Sequence, residues 1–177
     1  MTELLPAGPW AAIAAFAAMV CCYVVIVRAV RRRYYSWRGR RIERAAARRL
    51  TIRLPLGWTL TKNVPVPGHG DADILLTDAH GQRWVVEVKS YESIRRTSWL
   101  LRIFGRPEVR RASGRFFERN PIAQVVGVAD ACHARPVLWL PYAKGRTFIT
   151  RSGVIVVQGS SRQLMRAVGG CAWWQFS

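Results

Sequence analysis

Hydrophobic and polar positions fall into three regimes along this chain. From Leu4 to Val27 there is no charged residue, and the densest part, WAAIAAFAAMVCCYVVIV (Trp10–Val27), is apolar on every face. A run of this length, extended through Ala29 and Val30, crosses a hydrocarbon core of ~30 Å as a helix. It predicts a transmembrane helix over residues 10–30 behind a short N-terminal segment, residues 1–9. Trp10 and Tyr34-Tyr35 fall at the two interfaces, where aromatic side chains concentrate. A cleaved signal peptide would carry a basic start, whereas here the start holds Glu3 and no Lys or Arg.

The second regime is RRIERAAARRLTIRL (Arg40–Leu54). Ile42, Ala46, Leu50 and Leu54 recur every fourth residue, the period of one helix face. LPLGW (Leu54–Trp58) stops the helix with Pro and Gly. The third regime alternates. WTLTKNVPVP (Trp58–Pro67), ADILLT (Ala72–Thr77) and QRWVVEVKS (Gln82–Ser90) read as strands separated by the turns GHGD and DAHG. Asn120–Ala134 reads as a helix with Asn120 as N-cap and Pro121 in its first turn. RPVLWLP and SGVIVVQG follow as strands, the first apolar enough to be central. SSRQLMRAVGG closes the chain's pattern as a capped helix. The order α-β-β-β-α-β-β-α predicts one mixed α/β domain over residues 40–177, joined to the membrane helix by a basic linker, residues 31–39. Trp173-Trp174 is expected to cap its core.

The 177 residues include 28 Lys and Arg against 10 Asp and Glu, a formal net charge of +18. Such an excess calls for an anionic partner, either nucleic acid or an anionic membrane face. Part of it is local. Arg28, Arg31, Arg32, Arg33, Arg38, Arg40 and Arg41 follow the apolar run, and no Lys or Arg precedes it. By the positive-inside rule the N-terminus lies outside and the C-terminal bulk in the cytoplasm, as a single-pass protein of the inner, cytoplasmic membrane. The same cluster would bind anionic lipid headgroups. A second basic stretch holds Arg95, Arg96, Arg102, Arg106, Arg110, Arg111 and Arg115, interleaved with Trp99, Phe104, Phe116 and Phe117. That composition suits tracking a phosphate backbone and stacking bases, or a basic insertion without a partner.

The four cysteines form no CxxC pair, and His69, His80 and His133 complete no zinc spacing. His69 and His80 fall in turns. Cys132 and His133 are neighbours on a helix and point apart, so they make no nucleophile pair.

The strand hairpin carries the chemistry. Along VVEVKS, Glu87 and Lys89 point to one face and Val86, Val88 and Ser90 to the other. Folding the hairpin at Ala79-His80 sets Asp73 opposite Val86 or Glu87. Two adjacent carboxylates repel unless a cation lies between them. Hard oxygen ligands of this kind suit Mg²⁺, which binds through one or two carboxylates plus substrate phosphate. A Lys one pleat away can stabilise phosphoryl charge or orient water. The plain alternative is a solvent-facing Glu–Lys pair. It is the weaker one in a chain so poor in acids.

These pieces, in order, resemble the nuclease-related domain (NERD) family, a branch of the PD-(D/E)XK nuclease superfamily. The similarity runs from about Arg40 to Val157 through the helix with Glu43, LPLGWTLTKNVPVPG, GDADILL, VVEVKS, NPIAQ, RPVLWLP and GVIVV. It implies a restriction-endonuclease-like mixed sheet flanked by helices. It implies that Asp73 and Glu87 hold the metal, Mg²⁺ or Mn²⁺, and that Lys89 assists the attacking water. Glu43 and Gln124 match the positions that complete such a site. Two functions follow as expectations: a membrane-anchored, metal-dependent endonuclease acting on DNA, or a catalytically silent module of the same fold that tethers nucleic acid or a protein complex to the membrane.

Overall fold

The computed structural model describes residues 9–91, 93–98, 103, 107–115, 117 and 120–169. Arg102, Arg106, Trp99, Phe104, Phe116 and Trp173-Trp174 lie outside the described residues.

Helix α1 spans Pro9–Thr51, so residues 31–39 are helical as well as the apolar segment before them and the amphipathic turns after them. Its apolar part has a mean hydropathy of 2.4. Among the described residues α1 is the one helix long and apolar enough to cross a membrane, by length and composition. The chain divides into two compact units, residues 1–40 and 41–177.

The second unit is built on a six-stranded mixed sheet. Its strands are β1 (Thr59–Val66), β2 (Gly70–Thr77), β3 (Arg83–Val88), β6 (Arg135–Leu140), β7 (Phe148–Ile149) and β8 (Ile155–Gln158), in the order β1-β2-β3-β6-β8-β7. β6 is parallel to both β3 and β8, and the remaining neighbours are antiparallel. RPVLWL is therefore central, as its unbroken apolar run requires. Helix α2 (Pro121–Ala131) lies between β3 and β6 in the chain, and α3 (Ser161–Gly169) follows β8. The Asn120 side chain caps α2 by accepting from the Ile122 N–H at 3.1 Å.

The two faces of the sheet carry separate cores. Val85, Leu138, Leu140 and Val156 pack with Ile122, Val125, Val128 and Ala129 of α2. Trp84, Val86, Val88, Val137 and Trp139 pack with Ala46, Ala47 and Leu50 of α1 and Leu164 and Val168 of α3. Strand alternation delivers one set to each side.

The stretch after Lys89, which shows no clear period in sequence, contains a two-stranded antiparallel ribbon, β4 (Ile94–Arg96) with β5 (Val109–Arg111). Ile94 and Val109 are buried. The Arg111 guanidinium lies over the rings of Tyr91 and Phe117, at 5.5 and 5.4 Å. The ribbon and the short edge strand β7 are additions to the element order that the sequence pattern predicts.

Candidate active site

The β2–β3 turn fixes the site's register. Asp78 Oδ1 accepts from the N–H groups of His80 and Gln82 at 2.9 and 2.8 Å, and Gly81 takes φ +80°. A residue with a Cβ is strained in that left-handed conformation. With the turn set, Thr77 pairs with Arg83, Leu76 with Trp84, Leu75 with Val85 and Ile74 with Val86. One step further along the same register brings Asp73 across from Glu87. Of the two registers open in sequence, this is the closer one.

Asp73 stands where β2 changes faces. The β1–β2 pairing passes from Lys62–Ile74 to Val64–Ala72, skipping Asn63, which has φ 50°. Ile74 and Leu76 belong to the α1 side, whereas Ala72 packs on the α2 side. At this break the Asp73 side chain takes over a backbone role. Its Oδ2 accepts the Val88 N–H at 2.7 Å. The Lys89 N–H goes the other way, to the Trp139 carbonyl on β6 at 2.9 Å.

Glu87 is 2% exposed. Its Oε1 accepts from Lys89 Nζ at 2.6 Å and from Gln124 Nε2 of α2 at 2.9 Å. Its Oε2 is buried and has no hydrogen-bond partner among the described residues. A buried carboxylate oxygen without a partner loses its hydration with no return. Burial first, then the Glu87 charge and then Glu43, raise the Asp73 pKa from 3.8 to a net value of about 7. The Val88 N–H and Lys89 oppose the rise. At Lys89 burial disfavours the ammonium, but Glu87, Asp73 and Tyr91 together outweigh it and the pKa moves up. Lys89 is thus a fixed cation and a hydrogen-bond donor.

Sequence-predicted residues therefore meet in part. Asp73, Glu87, Lys89 and Gln124 form one connected cluster. Glu43 is half-buried on α1 and reaches the cluster through its charge on Asp73. Arg95 and Arg96 lie on β4, Arg110 and Arg111 on β5, and Arg115 just beyond it, and none of these is among the groups acting on Asp73. His69 stands against Gly127 of α2, where a Cβ would come within 2.9 Å of its Nδ1. The backbone donor Val88 carries no sequence signal, because its N–H is left over only where the β2–β3 pairing stops at Ile74–Val86.

No group of three His, Cys, Asp or Glu side chains that could hold a metal ion occurs among the described residues. The carboxylate pair nevertheless has the donor chemistry a divalent cation uses when water and substrate oxygens complete its shell. The unpartnered Glu87 Oε2 and the mutual repulsion of the two carboxylates are what such a cation would relieve.

Compared with known families, the chain matches the nuclease-related domain over residues 38–136, more than half its length. The match includes every residue of the cluster. No curated protein and no solved structure matches the chain.

Proposed function

The chain belongs to the nuclease-related domain family, and on that premise we propose that it is a membrane-anchored endonuclease that hydrolyses DNA phosphodiester bonds with a divalent metal. The observation that carries this reading is the buried, unpartnered Oε2 of Glu87 beside a carboxylate whose pKa its charge has raised.

Asp73 and Glu87 would hold the cation, Mg²⁺ or Mn²⁺, which when bound supplies Lewis-acid stabilisation of charge on the scissile phosphate. The chain's own residues do the rest by position. Gln124 and Lys89 fix Glu87 through Oε1, so Oε2, which has no partner among the described residues, is the oxygen that would meet the cation. The Val88 N–H fixes the Asp73 carboxylate through Oδ2. Lys89 is protonated at neutral pH, so its role is to donate to a phosphoryl oxygen or to the attacking water, not to take a proton. Glu43 adds negative charge, which favours a cation at Asp73.

Arg95 and Arg110 stand directly opposite each other on the ribbon, an arrangement of like charges that favours an anion such as a DNA phosphate. α1 would anchor the protein, with the arginines after its apolar part on the cytoplasmic side against anionic lipid.

The test is cleavage of supercoiled plasmid by the full chain in detergent with Mg²⁺ or Mn²⁺, beside Asp73→Ala and Glu87→Ala. Nicking or linearisation lost in both variants supports the proposal. DNA that is retarded but uncut by all three proteins sinks it and favours the tethering module.

A further inference from the structure

We propose that a trough at the β7 end of the sheet is a second nucleic-acid site, one that takes a short single-stranded segment. Two adjoining cavities, of about 680 and 480 Å³, share Arg96, Arg146 and Phe148. α3 contributes Gln163 and Arg166 to the first, and Arg95 and Lys144 border the second. Among the described residues, no Asp or Glu lines either cavity. Glu108 lines the next hollow, where its Oε2 accepts from Ser152 Oγ at 3.2 Å.

The trough is held in shape from beneath. Gln158, the last residue of β8, is 3% exposed. Its Oε1 accepts from Ser93 Oγ and the Ile94 N–H at 3.1 and 2.8 Å, and its Nε2 donates to the Arg146 carbonyl at 3.2 Å. One buried amide thus ties the start of the ribbon to the loop that carries Lys144 and Arg146. Gly145 lies against that amide, and a Cβ there would stand 2.7 Å from Gln158 Cδ. The Arg96 guanidinium lies 5.1 Å from the Phe148 ring centroid and donates to the Ile149 carbonyl.

The chemistry selects the ligand. Cations at the rim suit phosphates. The Arg96 guanidinium over the Phe148 ring pairs a cation with an aromatic face, the two kinds of group on which nucleobases rest. Ile149, Ile155 and Ala167 add apolar wall. A duplex presents phosphates but keeps its bases inside, so it cannot use that wall. Cavities of this volume admit small molecules or a few nucleotides.

This site is separate from the carboxylates. β7 stands three strand positions from β3, about 15 Å across the sheet. Lys144, Arg146, Phe148 and Arg166 all lie beyond the family match, which ends at residue 136. The inference rests on the nuclease reading only for the class of polyanion.

The experiment measures anisotropy of fluorescein-labelled dT12, and of a blunt duplex of equal length, with the full chain in detergent and EDTA. Variants are the Arg146→Glu/Arg166→Glu double and Phe148→Ala. The double variant is expected to weaken dT12 by about 10-fold or more and duplex by less than about 3-fold. Phe148→Ala is expected to weaken dT12 by about 5-fold. An iododeoxyuridine 12-mer should photocrosslink within the strand bearing Phe148. Equal losses for both DNAs, crosslinks only elsewhere, or full displacement of dT12 by inorganic or glycerol phosphate at matched phosphate concentration would each overturn the proposal. Binding of dT12 by Asp73→Ala as tightly as by wild type would show that the trough acts without the carboxylates. A chain that cuts nothing yet passes these tests would sink the nuclease reading and leave this one standing.

Discussion

Gln124 Nε2 donates to Glu87 Oε1 at 2.9 Å, from 37 residues further along the chain and from a helix packed on the sheet. Gln124 is a positioning residue, since it fixes the orientation of a carboxylate. Hydrogen bonds to charged groups are worth about 1.5–3 kcal/mol. Gln124→Ala should therefore lower kcat on plasmid by roughly 10- to 150-fold with KM nearly unchanged. Its melting temperature should fall as well, since the buried Glu87 carboxylate loses a hydrogen bond, so the split between kcat and KM is the readout that marks a positioning role. An unchanged kcat would remove Gln124 from the site.

Asp73 ties stability to pH. Its pKa is raised from 3.8 to about 7, first by burial and then by Glu87. Between those values the folded chain keeps a proton that the unfolded chain has released. The stability this group contributes is thus full below about pH 4 and is lost as pH rises through about 7. In EDTA the melting temperature should fall between about pH 4 and 7, and Asp73→Asn should flatten the slope. Mn²⁺ should raise the melting temperature more at the upper end than at the lower. Superimposable profiles for wild type and Asp73→Asn would refute this reading.

Lys89 and Glu87 form a partly buried pair, with side-chain exposures of 24% and 3%. Removing one partner leaves the other's charge stranded, at a cost of about 3 kcal/mol. Lys89→Ala should be less stable to denaturant than the double variant Lys89→Ala/Glu87→Gln, in which no buried charge remains at this pair. If the double variant is the less stable, the pair is not what holds this corner together.

The ribbon's basic pair should show in the salt dependence of binding. Arg95 and Arg110 pair directly across β4 and β5. Each arginine that neutralises a phosphate should contribute about 0.9 to the slope of log affinity for duplex against log salt. Arg95→Ala and Arg110→Ala should each flatten the slope by that amount, about equally for unrelated sequences. A sequence-dependent weakening would point to base recognition instead.

The apolar part of α1 can be tested with one charge. Ala18→Arg places a guanidinium within the uncharged run, which disfavours insertion by about 3 kcal/mol. The variant should move out of carbonate-washed membranes, and a C-terminal fluorescent fusion should report a cytoplasmic C-terminus for the wild type. Wild-type protein that washes off with carbonate would exclude the anchor.

Much of this architecture was legible in the sequence. Alternation in β2 and β3 comes from the pleat, which sends Val86 and Val88 one way and Glu87 and Lys89 the other. Asn120 and Pro121 marked the start of α2 through local backbone chemistry, and Gly81 and Asp78 sit in the turn for the same reason. The uncharged run of α1 needed only its length. These features depend on neighbours within a turn or a strand, and a sequence records such neighbours directly.

Tertiary structure decided the rest. That Glu87 is almost fully buried depends on α2 and β6 closing over it, and β3 and β6 are separated by the whole ribbon segment. The β2–β3 pairing stops at Ile74–Val86 and leaves the Val88 N–H to the Asp73 carboxylate, and no local pattern announces it. The β4–β5 ribbon was hidden because each strand has three residues, too few for a period to declare itself. Gln158 reads as a polar strand end, yet packing makes it the buried amide that joins the ribbon to the loop at Gly145. Local sequence pattern sets which side chains share a strand face and where helices begin. Only the folded chain determined which of those faces lost water, because desolvation is set by what packs on top.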